Sequence, residues 1–287
     1  MPSSAARQGT CRAIRGITRR LPTLYGFNTY LRWQRRLPPD DEYCVTDIDD
    51  TITMFLRPNE FVDFALFYQP HLYERSERRA LWRQLEAGST FVDVGAHIGF
   101  YTLLAAKRVG PEGRVIALEP DPDTSQRLVR NVTANPDLAS RIRVIAAAAS
   151  SRAGSAVLHR VSPGNMGANT LSADGEGPAT TVVTTTLDRV FAEQGIDPGR
   201  AVVKIDAEGH ERDVLRGFHA TLAGSAKPAL LVELADVHLR RSGSSSVELA
   251  TELAALGYRL LEIQPRRLRP LNPAAPPPFV NVLALPA

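Results

Sequence analysis

Cysteine is scarce: the 287 residues hold only Cys11 and Cys44. Neither stands in a C-x-x-C spacing, so neither a disulfide framework nor a structural zinc site is expected. No apolar run approaches 18 residues, which excludes a transmembrane helix of ordinary length. The first residues lack a compact apolar core of the kind a secretory leader carries, and the expectation is a cytoplasmic protein. Excess charge is also small. A net charge of +3 gives no sign of a nucleic-acid partner. No internal repeat is visible. With 44% hydrophobic and 23% charged residues, the composition is that of an ordinary soluble globular chain.

One local absence stands out. Residues 1–36 contain eight arginines and no acid. Residues 1–40 therefore read as a basic extension. It is either a solvated arm, an arm for a membrane surface or an acidic partner, or a targeting peptide of similar composition. Residues 41–86 read as a small subdomain. Its β-like runs are Thr51–Leu56 and Phe61–Leu66, and a helical pattern spans 74–86.

From residue 87 to 287 the pattern is regular. Short apolar runs recur as FVDV at 91, RVIALE at 114, IRVIAA at 142, AVVKI at 201, ALLVEL at 229, YRLLEI at 258 and FVNVLAL at 279. Helical patterns lie between most of them. Alternating β and α units imply a mostly parallel sheet with helices on both faces. Two stretches interrupt the rhythm. Residues 159–180 are rich in Gly, Ser and Asn, as binding loops or lids often are. Residues 264–278 contain six prolines and read as a stiff connector.

The stretch FVDVGAHIGFYT places Asp93, Gly95, Ala96, His97 and Gly99 between a strand and a helix. Glycine there permits a sharp turn and the close approach of a ligand. The next strand ends in Glu119, 24 residues after Gly95, where a carboxylate can accept both hydroxyls of a ribose. The spacing is not G-x-G-x-x-G, so the pyrophosphate cradle of a dinucleotide site is incomplete. Asp93 adds negative charge, which repels an anion and attracts an ammonium group. A cofactor with a ribose, an amino-acid ammonium and no phosphate fits these features, and S-adenosylmethionine has those parts.

In order, FVDVGAHIGFYT, VIALEPDP, TTTLDRV and KIDAEGHE resemble the motifs of FkbM-type methyltransferases. The resemblance covers about residues 70–263. It implies a class I, Rossmann-like fold: a seven-stranded, mostly parallel sheet whose last strand is antiparallel. It also implies S-adenosylmethionine as cofactor and O-methylation of a sugar, glycan or natural-product hydroxyl. Asp93, Gly95 and Gly99 fall in the implied cofactor loop and Glu119 at the ribose. His97 stands where the family usually has Asn. Tyr73-Glu74 matches a Tyr-Glu pair preceding the domain, with Glu74 near the cofactor's amino-acid end or simply capping a helix.

The stretch AVVKIDAEGHE puts Lys204, Asp206, Glu208 and His210 at alternate positions after an apolar strand. Residues two apart on a strand share a face, so Lys204 can pair with Asp206 and lower the cost of burying both. Glu211 reads as a carboxylate at a helix N-terminus. Asp206, Glu208 and His210 together are more than a cap requires. They suit a centre that aligns a hydroxyl and removes its proton. A second reading adds a divalent metal, Mg²⁺ or Mn²⁺, held by Asp206 and Glu233. Two other classes stay open, a nicotinamide-dependent oxidoreductase and a catalytically silent binding module. The expected acceptor is a small molecule or glycan, and nucleic acid is not an expected partner.

Overall fold

In the computed structural model, the described residues are 4–18, 41–159, 171 and 178–287. Most of the predicted loop 159–180, and residues 1–3 and 19–40 of the basic extension, lie outside them.

The main sheet has eight strands. They are β3 (Thr90–Val94), β4 (Arg114–Leu118), β5 (Ile142–Ile145), β9 (Ala201–Ile205), β10 (Ala229–Ala235), β11 (Tyr258–Ile263), β12 (Leu268–Pro270) and β13 (Phe279–Pro286). Their order is β12-β11-β13-β10-β9-β3-β4-β5, and β6 (Ala148–Ala149), β7 (Gly154–His159) and β8 (Ala179–Thr185) form a separate three-stranded sheet. Strands β5, β4, β3, β9 and β10 run parallel. β13 lies antiparallel between β10 and β11. All seven apolar runs are strands. The eighth, β12, comes from the stretch read as a plain connector. Pro270, which has no N–H to give, sits on this edge strand, where an unpaired side is tolerated.

Side chains alternate cleanly across the sheet. Phe91, Val115, Ala117, Val202 and Leu231 face one core. Val92, Val94, Ile116, Leu118, Val203 and Ile205 face the other. Helices Phe100–Val109 and Pro122–Thr133 cover the first face through Leu103, Leu104, Leu128 and Val132. Helices Leu187–Gln194, Glu211–Arg216 and Ser246–Ala255 cover the second through Val190, Phe191, Leu215 and Leu249. Burial on both sides explains why these strands read as unbroken apolar runs.

Residues 41–86 pack into the first core. A hairpin of β1 (Tyr43–Ile48) and β2 (Ile52–Leu56) turns at Asp49 and Asp50, both at positive φ. Phe61–Tyr68 is a helix, which corrects the β-like reading of Phe61–Leu66. Apolar residues bury on almost every side of it, so its sequence carries no helical period. Its Asp63 is fully buried against Arg127 and accepts the Arg57 N–H at 2.6 Å. Burial raises the Asp63 pKa to about 6 against the pull of Arg127. Asn131 and Asn135 bind the backbone of β2 from the side: Asn131 accepts the Phe55 N–H and Asn135 that of Thr53. The first part of the basic extension, Ser4–Thr18, is helical. Arg15 donates to Asp47 at 3.0 Å and the Thr18 hydroxyl donates to the Tyr68 carbonyl. No helix among the described residues is long and apolar enough to cross a membrane.

Candidate active site

A cavity of about 370 Å³ opens where β3, β4, β9 and β10 end. The carboxyl ends of parallel strands are where open α/β sheets bind ligands. Glu74, Asp93, Gly95, Ala96, His97, Glu119, Asp206, Glu208, His210 and Glu233 all line it. Gly99 does not line the cavity. Its φ is +90° and an added Cβ would stand 2.5 Å from Leu128 Cδ1, so it serves helix packing.

Gly95 does not primarily make room for a ligand. Its φ is +76°, and a Cβ there would lie 1.9 Å from the Asp206 carbonyl oxygen. The missing side chain lets the ends of β3 and β9 close on each other. Next along, the His97 N–H donates to Glu119 Oε2 and the Asp121 N–H donates to Glu119 Oε1, both at 2.9 Å. Each carboxylate oxygen can accept a second bond, so two acceptor positions remain on Glu119. Burial pushes the Glu119 pKa up to about 7, while these two backbone bonds pull it down. His97 itself is held neutral. Burial, aided by Arg127, lowers its pKa to about 3.

Asp93 is buried, with Oδ2 accepting from the Thr102 hydroxyl at 2.7 Å. Its Oδ1 is buried without a hydrogen-bond partner. Burial raises the Asp93 pKa against the attraction of Lys204. The Lys204 ammonium bonds Asp206 Oδ2 at 2.7 Å and lies 5.0 Å from the centre of the Tyr101 ring. Burial opposes its charge, but Asp206, Asp93 and Glu74 raise its pKa. The alternation along β9 thus yields the ion pair that the spacing predicts.

The loop after β9 is built tightly. Glu211 is buried and its Oε1 accepts the N–H groups of Ala207 and Gly209. Burial raises its pKa to about 7. Glu208 is at φ +49°, and Gly209 has no room for a Cβ because the His238 carbonyl oxygen would lie 2.6 Å away. That contact brings Glu208 Oε2 to 2.8 Å from His238 Nδ1. Glu233 stands nearby on β10. Burial and then Asp206, Glu208 and Glu211 raise its pKa to about 9. The converging set among the described residues is Glu208, Glu233 and His238. Asp206, the expected partner of Glu233, is not in this set; its Oδ2 bonds Lys204.

His210 stands at the N-cap position of the helix Glu211–Arg216, without a side-chain capping bond, and lines the cavity. Its Nε2 is 3.0 Å from the Ser150 hydroxyl and its Nδ1 is 3.6 Å from Asp213 Oδ2. Burial lowers its pKa against the pull of Asp213. Sequence reasoning missed His238, Tyr101 and Ser150. Tyr101 and Ser150 carry no motif. His238 follows Glu233 by five residues across a strand-to-helix junction, a spacing with no periodic meaning.

Three residues other than glycine at the cavity, Glu74, His97 and Glu208, have positive φ. Backbone strain of this kind, about 1–3 kcal/mol each, gathers at functional sites. Acidic groups also dominate. Among the described residues the cavity lining holds six carboxyl groups, those of Glu74, Asp93, Glu119, Asp206, Glu208 and Glu233, several with pKa raised by burial, and a single lysine, Lys204.

A mostly parallel sheet with its last strand reversed and inserted beside β10, and a cavity at the strand ends, defines a class I methyltransferase fold. The chain belongs to the family described as the methyltransferase FkbM domain, whose sequence profile matches residues 93–260. It is 31% identical over 145 residues to the hexuronic acid methyltransferase AglP of Haloferax volcanii, covering 50% of this chain and 56% of that one. The chain therefore spans little more than half the length of that relative. Among solved structures it is similar to a methyltransferase FkbM from Methylobacillus flagellatus, with 21% identity and a TM-score of 0.45. That match covers 68% of this chain and 43% of the other. An S-adenosylmethionine-dependent O-methyltransferase from Thermotoga maritima is 13% identical, with a TM-score of 0.40 over 74% of this chain and 64% of the other.

Proposed function

We propose that this protein is an S-adenosylmethionine-dependent O-methyltransferase acting on a hydroxyl of a sugar, glycan or related small molecule. The observation that carries this reading is the acidic lining of the cavity, six carboxyl groups and one ammonium among the described residues, where buried carboxyls such as Glu119 and Glu233 are short of compensating positive charge. A sulfonium and an ammonium are attracted there, and a dinucleotide's pyrophosphate is repelled. The nicotinamide-dependent alternative is disfavoured for that reason. The likeness to a hexuronic acid methyltransferase supports a sugar-like acceptor.

The residues present suit the cofactor. Glu119 would accept the ribose hydroxyls on its two remaining acceptor positions. The unpartnered Oδ1 of Asp93 would face a cationic amino group. Once bound, the cofactor supplies a methyl group already activated by its sulfonium. What remains for the protein is to align the acceptor and move its proton, worth about 7–11 kcal/mol for alignment and about 10²–10⁴-fold for the base. Asp206 takes the proton in this reading. Glu208 and His210 shape the acceptor side. The catalytic domain is 87–287, with 41–86 packed on it.

Glu119→Ala tests the cofactor assignment. Hydrogen bonds to a charged group contribute about 1.5–3 kcal/mol each, so losing two should weaken S-adenosylmethionine binding at least ~10-fold. Calorimetry measures this, and a methyl-transfer assay on the wild type separates an enzyme from a silent binder. Unchanged affinity removes Glu119 from the ribose.

The pH profile of binding follows from the same residue. Glu119 must be ionised to accept two hydroxyl protons. With its pKa near 7, affinity should rise as pH increases from about 5.5 to 7.5. His97, with a pKa near 3, is neutral throughout that window and contributes nothing to the slope. His97→Asn should therefore keep the wild-type profile, and Glu119→Gln should flatten it. A profile altered by His97→Asn would place the imidazole's proton in the binding step.

A further inference from the structure

We propose that Glu208, Glu233 and His238 form a binding site for a divalent first-row transition-metal cation, set against the acceptor side of the cavity. For its catalytic meaning the site rests on the methyltransferase reading; the binding itself does not.

Ligand atoms of the three residues all lie within 4.8 Å of one another. They come from three separate segments: the loop after β9, the strand β10 and the short helix Asp236–Leu239. Packing brings these segments together through contacts other than those of the two carboxyl groups and the imidazole. Gly209 presses on the His238 backbone with no space for a Cβ, and the Ser242 hydroxyl donates to the Gly209 carbonyl. The result sets a left-handed Glu208 beside the imidazole.

His238 Nδ1 is a buried atom 2.8 Å from Glu208 Oε2, and without an ion the two form a close pair. Two lone-pair donors sharing a cation, each about 2.0–2.2 Å from it, stand side by side at about 3 Å and point at the ion, not at each other. Glu233 supplies the second indication. Among the described residues no side chain hydrogen-bonds its carboxyl, and a simple Glu208–His238 ion pair gives it no reason to converge. Lys204, the one ammonium in the cavity lining among the described residues, is engaged by Asp206.

The donor set selects the ion. Imidazole nitrogen favours Zn²⁺, Fe²⁺ and their neighbours, and carboxylate oxygen suits Mn²⁺. Mg²⁺ prefers an all-oxygen octahedron with several waters. Three protein ligands leave positions open, as catalytic sites do. Glu208 and Glu233 both line the cavity, so an open position faces it. An acceptor hydroxyl bound there would lose its proton more readily, with Asp206 close by to take it.

The test is calorimetric titration of the full chain, stripped with a chelator, with Mn²⁺, Zn²⁺ and Mg²⁺ in turn. One saturable site for Mn²⁺ or Zn²⁺, at least ~10-fold tighter than for Mg²⁺, is expected. Glu233→Gln and His238→Ala should each weaken it by ~10-fold or more. Cooperative melting and unchanged S-adenosylmethionine affinity would show that both variants fold; if either does not, Glu208→Gln takes its place. Absence of a saturable site, or binding unaffected by these substitutions, overturns the proposal. The two readings fail separately. Metal binding without methyl transfer leaves the site and removes the function, and methyl transfer by a protein that binds no metal does the reverse.

Discussion

Asp206→Asn should lower turnover by about 10²–10⁴-fold, the range expected when a positioned base is lost. The substitution keeps the shape and removes the charge. Asp206 lines the cavity and its Oδ2 bonds the Lys204 ammonium at 2.7 Å, so the side chain is either half of a structural pair or a group that serves the acceptor. Breaking a fully buried pair costs about 3–5 kcal/mol. The loss here should be smaller, for three reasons. The Asp206 side chain is 33% exposed. An asparagine oxygen still accepts from Lys204. Asp93 and Glu74 remain to compensate the ammonium. The expected combination is therefore a large fall in turnover, little change in cofactor affinity and a modest fall in melting temperature, all measured on one preparation. A folded variant with near-wild-type turnover would defeat the assignment and move it to Glu208 or His210. A severe loss of stability with intact turnover per folded molecule would make the pair structural.

Gly95→Ala should damage both fold and cofactor binding. A left-handed backbone costs a non-glycine residue about 1–2 kcal/mol. The new methyl group would also lie 1.9 Å from the Asp206 carbonyl oxygen. Overpacking of this kind adds about 1–3 kcal/mol, and the neighbour here is backbone that cannot rotate away. Gly195 provides the control. It has φ +56° and nothing within 4 Å, so Gly195→Ala meets the backbone penalty alone. Urea unfolding of the two variants separates strain from collision. Equal losses would mean that β3 and β9 are free to move apart. A greater loss for Gly95→Ala, with weaker S-adenosylmethionine binding, ties the cofactor loop to the position of Asp206.

The cluster of Glu208, Glu233 and His238 shows where sequence reading stopped. Glu233 was recognisable as a carboxylate at a strand end. Asp206 was its apparent partner because adjacent parallel strands end side by side. The structure shows the expected Lys204–Asp206 pair and also brings His238 to Glu208. Nothing local announces His238. It reaches Glu208 only because β10 pairs with β9 and Gly209 lets the two following segments touch.

The seven long strands, the glycine turn after β3, Glu119 at the end of β4 and the Lys204–Asp206 pair were determined by the chain alone. Each depends on an apolar run, a period of two or the steric freedom of glycine, all properties of a few neighbouring residues. The helix Phe61–Tyr68 escaped that reading because burial on nearly every side erases the period. The edge strand Leu268–Pro270 escaped it because proline conceals a strand that pairs on one side only. Tertiary structure alone decided that Gly95 accommodates Asp206, that both Glu119 oxygens accept backbone N–H groups and that His97 is neutral. It also decided that, among the described residues, six carboxyl groups share one cavity with a single lysine. Those properties depend on distance and solvent exclusion between segments far apart in the chain, which only strand order and packing set.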